Sequence, residues 1–223
     1  MPTIVLVRHA HSTANAAGVL SGRMPDVNLS ATGRDQAMRL ASRLGNLTIS
    51  KVHISPMERC AQTLAPWLEQ FGKNVQVITD ENLIEVDYGN WSGKKLTTLS
   101  RAKLWRKIQG QPSAVIFPGG ESLAAMQVRA MKSVHEFFAG DLELTIMVSH
   151  GDVIKAIVAS SLGMHLDDFQ RIVIDPASIT ILESHGGVIR LTRLNDSDSS
   201  IAELLQNKKK RGHLLGGGKG VAK

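Results

Sequence analysis

Three short stretches carry cationic and donor-rich side chains that suit the oxygens of a phosphate or a carboxylate. Arg8-His9 follows the β-branched apolar run 3–7, and Ser149-His150-Gly151 follows the apolar run 144–148. Ser55-Pro56, with Arg59 one helical turn further on, follows the run 51–54. Guanidinium forks match phosphate or carboxylate oxygens, and histidine adds further hydrogen-bond donors. Each stretch alone has a plainer explanation. An Arg-His pair decorates a strand end, Ser-Pro opens a helix, and Ser-His-Gly makes a strand-to-helix turn with a hydrogen-bonded histidine. Their shared placement just after three apolar runs is what points to one site, because an open α/β sheet binds ligands outside the carboxyl ends of its strands.

The elements that must bring them together read as alternating strands and helices. Short apolar runs at 3–7, 51–54, 75–78 and 144–148 predict strands, as do 170–182 and 188–194, the last pair joined by Gly186-Gly187. Ser30 to Gly45 predicts a capped helix, and Cys60, Leu64, Trp67, Leu68 and Phe71 mark one face of a second. Further helices are expected over 96–108 and 121–138, and after Gly151, where Val153, Ile154, Ile157, Val158 and Leu162 form the apolar face. The alternation predicts an α/β fold, a three-layer α/β/α sandwich around a mainly parallel central sheet. The weak pattern over about 86–120 reads as a cap-like insertion on one domain of residues 1–194. Residues 195–223 read as a polar and basic tail, expected to be mobile.

Composition narrows the classes. The chain has 223 residues, 43% hydrophobic and 21% charged, which is globular and long enough to bury a core without disulfides or metal. Cys60 is the only cysteine, which excludes a disulfide framework and a thiolate zinc site. The net charge of +6 belongs to the tail: without Lys208, Lys209, Lys210, Arg211, Lys219 and Lys223, 20 basic residues face 20 acidic ones. Nucleic acid is therefore not an expected partner. No run approaches the roughly 18 apolar residues of a membrane span, and 3–7 is too short for a signal-peptide core, so a cytoplasmic protein is expected. Gly120-Glu121-Ser122-Leu123-Ala124 lacks the last glycine of a serine-hydrolase elbow, and Gly216-Gly217-Gly218-Lys219-Gly220 lacks the Ser/Thr and spacing of a P-loop.

The stretch Arg8-His9-Ala10-His11-Ser12-Thr13-Ala14-Asn15 resembles the RHGxTxxN signature of the histidine phosphatase superfamily, the phosphoglycerate mutase-like proteins. Ser55 to Thr63 is similar to its SPxxRxxQT block, and Leu83, Glu85, Gly89, Trp91 and Gly93 to its LxExxxGxWxG block. Leu29-Ser30-x-x-Gly33-x-x-Gln36-Ala37 and Val148-Ser149-His150-Gly151 resemble two further blocks, all in family order. The whole chain also resembles an actinobacterial group described as phosphomutases. The resemblance implies a phosphohistidine intermediate on His9, with Arg8, Arg59 and His150 around the phosphoryl oxygens and Glu85 as proton donor. It implies that Asn15 and Ser12 hold the loop or the phosphate, and that Ser21, Gly22 and Arg23 lie on the substrate side. With three cationic groups around the phosphoryl oxygens, no metal and no cofactor are implied. The expected partner is a small phosphorylated metabolite, and the protein a monomer or homodimer.

Departures from the pattern carry their own expectations. Ala10 replaces a family glycine, which costs about 1 kcal/mol if that backbone needs positive φ. His11 stands where Glu, Gln or Arg is usual, and Asp152 needs a partner such as Lys155 if it lies beside a phosphate. Val86 occupies the place of a mutase arginine, and Trp91-Ser92-Gly93 and Pro118-Gly119-Gly120-Glu121-Ser122 are similar to phosphatase blocks. The expectation is a metal-independent phosphomonoester hydrolase, with a cofactor-dependent phosphoglycerate mutase or related phosphomutase as the alternative.

Overall fold

The structure is a computed structural model that describes residues 1–206. Its strands are β1 Thr3–Arg8, β2 Lys51–Ile54, β3 Gln76–Thr79, β4 Leu144–Ser149, β5 Ile179–His185 and β6 Val188–Asp196. Its helices are α1 Thr13–Ala17, α2 Ala31–Leu44, α3 Glu58–Phe71, α4 Leu96–Leu99, α5 Lys103–Gly110, α6 Leu123–Ala139, α7 Gly151–Ser161 and α8 Ile201–Gln206. The strands make one sheet in the order β3-β2-β4-β1-β5-β6. The first four run parallel to one another and the last two antiparallel, so the sheet is mainly parallel, as the alternation predicts.

Both faces of the sheet are apolar, and each is covered. Along β1, Ile4 and Leu6 pack into a core shared with α6 and α7, whereas Val5 and Val7 pack with α2, α3 and α8. All four side chains are fully buried, each contributing roughly 1.5–3 kcal/mol. Ser30 caps α2 by accepting from the Gly33 amide at 3.1 Å, and the buried Trp67 indole donates to the Gly45 carbonyl at the other end. Gly33 itself has no room for a side chain: a Cβ there would collide with the His11 carbonyl.

Three expectations need correction. The alternation of 170–182 does not make one long strand. Residues Leu166–Arg171 form a 3-10 helix, a loop follows, and β5 begins only at Ile179. Ile172 and Ile174 are buried and Val173 is exposed, so the two-residue period is satisfied by a loop lying on the core. Pro176, without an amide hydrogen, and Ala177, at φ 59°, interrupt it before pairing starts. The helix expected over 96–108 is two helices, α4 and α5. Leu99 and Ile108, nine positions apart, would face about 180° apart on one continuous helix. The break between the two helices lets both enter the same core.

The packed body also runs past residue 194. Asp196 pairs with Arg43 at 3.0 Å, and Ile201 is fully buried against the α2–α3 layer. Of the tail expected to be mobile, residues 207–223, with all six of its basic side chains, lie outside the described residues. Among the described residues, no helix is long and apolar enough to cross a membrane.

Candidate active site

The parallel register brings the three stretches together. Arg8 of β1 stands opposite Ser149 of β4, the His9 amide donates to the Ser149 carbonyl at 2.8 Å, and the Ser55 amide donates to the Val148 carbonyl at 3.0 Å. Thr63 ties α3 to this point. Its hydroxyl accepts from the Ala10 amide at 2.8 Å and donates to the Arg59 carbonyl at 2.6 Å. Ala10 is not among the residues with positive φ, so the strain attached to replacing glycine does not arise.

His9 is 4% exposed, and its Nδ1 lies 2.8 Å from the Ala10 carbonyl. A carbonyl only accepts, so Nδ1 carries the proton and Nε2 keeps its lone pair. Burial first, then Arg59 and Arg8, hold His9 well below the ordinary imidazole value, which keeps that lone pair free at neutral pH. His150 lies edge-on to it, with ring centroids 5.2 Å apart. Arg59 Nη2 donates to His150 Nδ1 at 3.2 Å, and His150 Nε2–H donates to Ser55 Oγ at 2.8 Å. Burial and the Arg59 charge keep this ring neutral as well.

The two arginines are incompletely satisfied. Arg59 is 1% exposed and donates through Nη2 to the Gly22 carbonyl at 2.8 Å, but its Nε and Nη1 are buried without a hydrogen-bond partner. Arg8 donates from Nη1 to the Ile174 carbonyl at 2.6 Å, while its buried Nε also lacks a partner. Buried unpaired donors on cations cost about 1–3 kcal/mol or more each, a cost that a bound anion recovers. The N-terminus of α7 adds a partial positive charge at the same place.

Glu85 is the carboxyl of the site. It is 9% exposed, its Oε1 accepts from the Val86 amide at 2.9 Å, and its Oε2 lies 3.6 Å from His150 Nδ1. Burial and the charge of Asp152 push it up to about 7, against the pull of Arg59. Arg8, His9, Glu85, Tyr88, Asp152 and Lys155 all line one cavity of about 420 Å³. Asp152 is paired as its setting requires: Tyr88 Oη donates to it at 2.9 Å, and Lys155 Nζ lies 3.4 Å away.

The other expected residues divide. Ser21, Gly22 and Asn15 line the cavity. Ser12 is 1% exposed and caps α1, its hydroxyl and amide both donating to Asn15 Oδ1. It therefore shapes the loop, and of the pair Asn15 is the one that faces the cavity. Arg23 is not on the cavity wall. It donates to the Glu85 carbonyl at 2.9 Å and to Glu121 at 2.8 Å, which makes it a support of the Glu85 loop. His11 also turns aside, its Nδ1 within 2.9 Å of Ser30 Oγ at the start of α2. The basic residues of the stretch 94–107, Lys94, Lys95, Arg101, Lys103, Arg106 and Lys107, are all exposed, a solvated face. Sequence reasoning assigned no role to Ser55, Tyr88 or Gln170. Tyr88 carried a signal, as the one tyrosine of the chain, three residues after Glu85.

Residues 4–197 match the histidine phosphatase superfamily (branch 1). The chain is 32% identical over 185 residues to phosphoserine phosphatase 1 of Hydrogenobacter thermophilus, covering 82% of this chain and 86% of that protein. It is 26% identical over 200 residues to a 2,3-bisphosphoglycerate-dependent phosphoglycerate mutase of Thermoplasma acidophilum, covering 89% and 96%. Among solved structures, Bacillus stearothermophilus YhfR superposes with a TM-score of 0.82 at 25% identity, over 89% of this chain and 98% of that one. By its sequence, its sheet and the order of its motifs, the chain belongs to the histidine phosphatase superfamily.

Proposed function

We propose that the protein hydrolyses phosphomonoesters of small metabolites by way of a phosphohistidine on His9. The observation that carries this is the set of unpaired buried donors, Arg8 Nε and Arg59 Nε and Nη1, beside a histidine whose Nε2 lone pair is free. The donors fit the equatorial phosphoryl oxygens, where preorganised charge does most of the work in phosphoryl transfer. His9 Nε2 forms a bond to phosphorus as the bond to the ester oxygen breaks, and Glu85 gives its proton to the departing alkoxide. Water then attacks phosphorus, Glu85 takes back a proton, and the N–P electron pair returns to Nε2 as inorganic phosphate leaves. His150 is neutral, with Nε2–H given to Ser55. It donates to the phosphoryl group once an incoming dianion draws a proton onto Nδ1.

Hydrolysis is favoured over mutase chemistry by what surrounds the rest of the cavity. Val86 is fully buried in the apolar core and offers no second anion clamp. Asp152 and Asp175 both line the cavity, and two carboxylates on its wall disfavour the second phosphate of a bisphosphate. The test is phosphorus NMR of 3-phosphoglycerate, primed with a trace of the 2,3-bisphosphate, in EDTA and with H9A as control. Inorganic phosphate without 2-phosphoglycerate is the expected product, from this ester or from a panel of small phosphomonoesters. Accumulation of 2-phosphoglycerate makes the protein a mutase.

A further inference from the structure

Glu85 sits on a loop rather than on a strand tip, yet a proton donor has to be placed to within a fraction of an ångström. The loop 82–87 is bound from outside the cavity by one carboxylate and two guanidiniums. Glu121 Oε1 accepts from Arg129 Nη2 at 2.7 Å, from Arg23 Nη2 at 2.8 Å and from the Asp87 amide at 2.9 Å. Its Oε2 accepts from Arg129 Nε at 3.1 Å. The two arginines then reach the backbone on either side of the acid. Arg129 Nη1 donates to the Asn82 carbonyl at 2.7 Å, and Arg129 Nη2 and Arg23 Nε donate to the Glu85 carbonyl at 3.2 and 2.9 Å.

The rest of the loop is equally tied. The Glu121 amide donates to the Asp87 carbonyl at 3.0 Å, and Gly89 packs so tightly on Pro118–Gly120 that a Cβ there would collide with the Pro118 carbonyl. The network is mostly shielded, with side-chain exposures of 17% for Glu121, 18% for Arg129 and 34% for Arg23. Although burial opposes its charge, the Arg129 hydrogen bonds hold Glu121 below the usual carboxylate range, so the clamp stays ionised at neutral pH. None of Glu121, Arg129 and Arg23 lines the cavity, and their hydrogen bonds run to one another and to the backbone of the Glu85 loop.

We propose that Glu121, acting through Arg129 and Arg23, is the positioning residue that sets Glu85 against the leaving oxygen. The proposal rests on Glu85 being the proton donor, and in the step that forms the phosphohistidine it makes the clamp matter only where the leaving group needs a proton. An alkyl alkoxide needs one as the P–O bond breaks, whereas p-nitrophenolate departs without one. A residue serving general stability slows both esters together.

The experiment measures kcat/KM, which reports the step that expels the leaving group, for O-phosphoserine and for p-nitrophenyl phosphate in wild type, E121Q, R129K and E85Q, with a thermal melt of each. In E121Q the alkyl-to-aryl ratio of kcat/KM falls about tenfold or more, a fraction of the 10²–10⁴ that general acid catalysis supplies. R129K shows the same direction, since an ammonium cannot bridge both Glu121 oxygens and two carbonyls as a guanidinium does. It also answers the question if E121Q fails to fold. An unchanged ratio in the folded variants overturns the clamp. E85Q tests the underlying reading separately: its ratio falls further than that of E121Q, and equal losses on the two esters would remove Glu85 as the acid and the clamp with it. A wild-type enzyme that cleaves only the aryl ester has no acid step for Glu121 to support, which also overturns the proposal.

Discussion

Arg8 and His9 on the cavity wall, and the buried Arg59 and His150 beside them, hang from strand tips or the first turn beyond them, whereas Tyr88, Asp152, Lys155 and Gln170 on the same wall are side chains leaning on one another. The first set is held by backbone register and by bonds such as His9 Nδ1–H to Ala10 and Arg59 to Gly22. The second is held by a chain of polar contacts, Tyr88 to Asp152, Asp152 to Lys155, and Lys155 to Gln170 at 3.1 Å. Strand ends fix geometry that the chemistry cannot vary, and a side-chain wall can change without moving the nucleophile. Nucleophilic attack and substrate choice are thus expected to be separable by mutation, with the Asp152 charge on Glu85 as the link between the two sets.

That separation can be broken or sharpened in order of effect. H9A removes the nucleophile and lowers kcat/KM by at least about 10³-fold on every ester, whatever its leaving group. R59K comes next. A lysine cannot present Nε and Nη1 to a phosphoryl group while keeping the Gly22 and His150 contacts, so kcat/KM falls by about 10² on all esters. Inorganic phosphate also loses its power to raise the melting temperature of that variant.

The pH profile of kcat/KM follows from two shifts of opposite direction. Glu85, raised to about 7, must be protonated to act, so activity declines as pH rises through that value. His9 must be neutral, and its lowered value keeps it so far into the acid range, which places the optimum on the acid side of neutrality. A profile rising from pH 6 to 9 would remove Glu85 from the role of acid. The smallest change is K155Q, which alters the ranking among esters of differing leaving group by about three- to tenfold. Its rate on the p-nitrophenyl ester moves less. Equal effects of K155Q on all esters would show that the two sets do not act separately.

The same division governs what the sequence makes legible. The short β-branched runs 3–7 and 144–148 bury both faces of their strands, so their ends, and with them Arg8, His9, Ser149 and His150, are readable. Arg59 follows from its place one helical turn beyond the run 51–54, and Glu85 only from the resemblance to the family block. The cavity wall is not readable, because residues 172–178 carry a strand-like alternation that the fold spends on a loop over the core. Arg23 misleads for a related reason. Its sequence neighbours Ser21 and Gly22 line the cavity, but its side chain is drawn away by Glu121, 98 positions along the chain. Ile201 follows a run of polar residues that reads as the start of a tail, and only the gap beside α2 explains its burial.

Whether phosphorus passes through His9 is read directly by rapid quenching of the enzyme with a radiolabelled phosphomonoester, into alkali. A base-stable, acid-labile phosphoryl group is expected on the peptide containing His9, formed faster than phosphate is released and absent from H9A. Turnover with no labelled protein at any time, or label on a different residue, would contradict it.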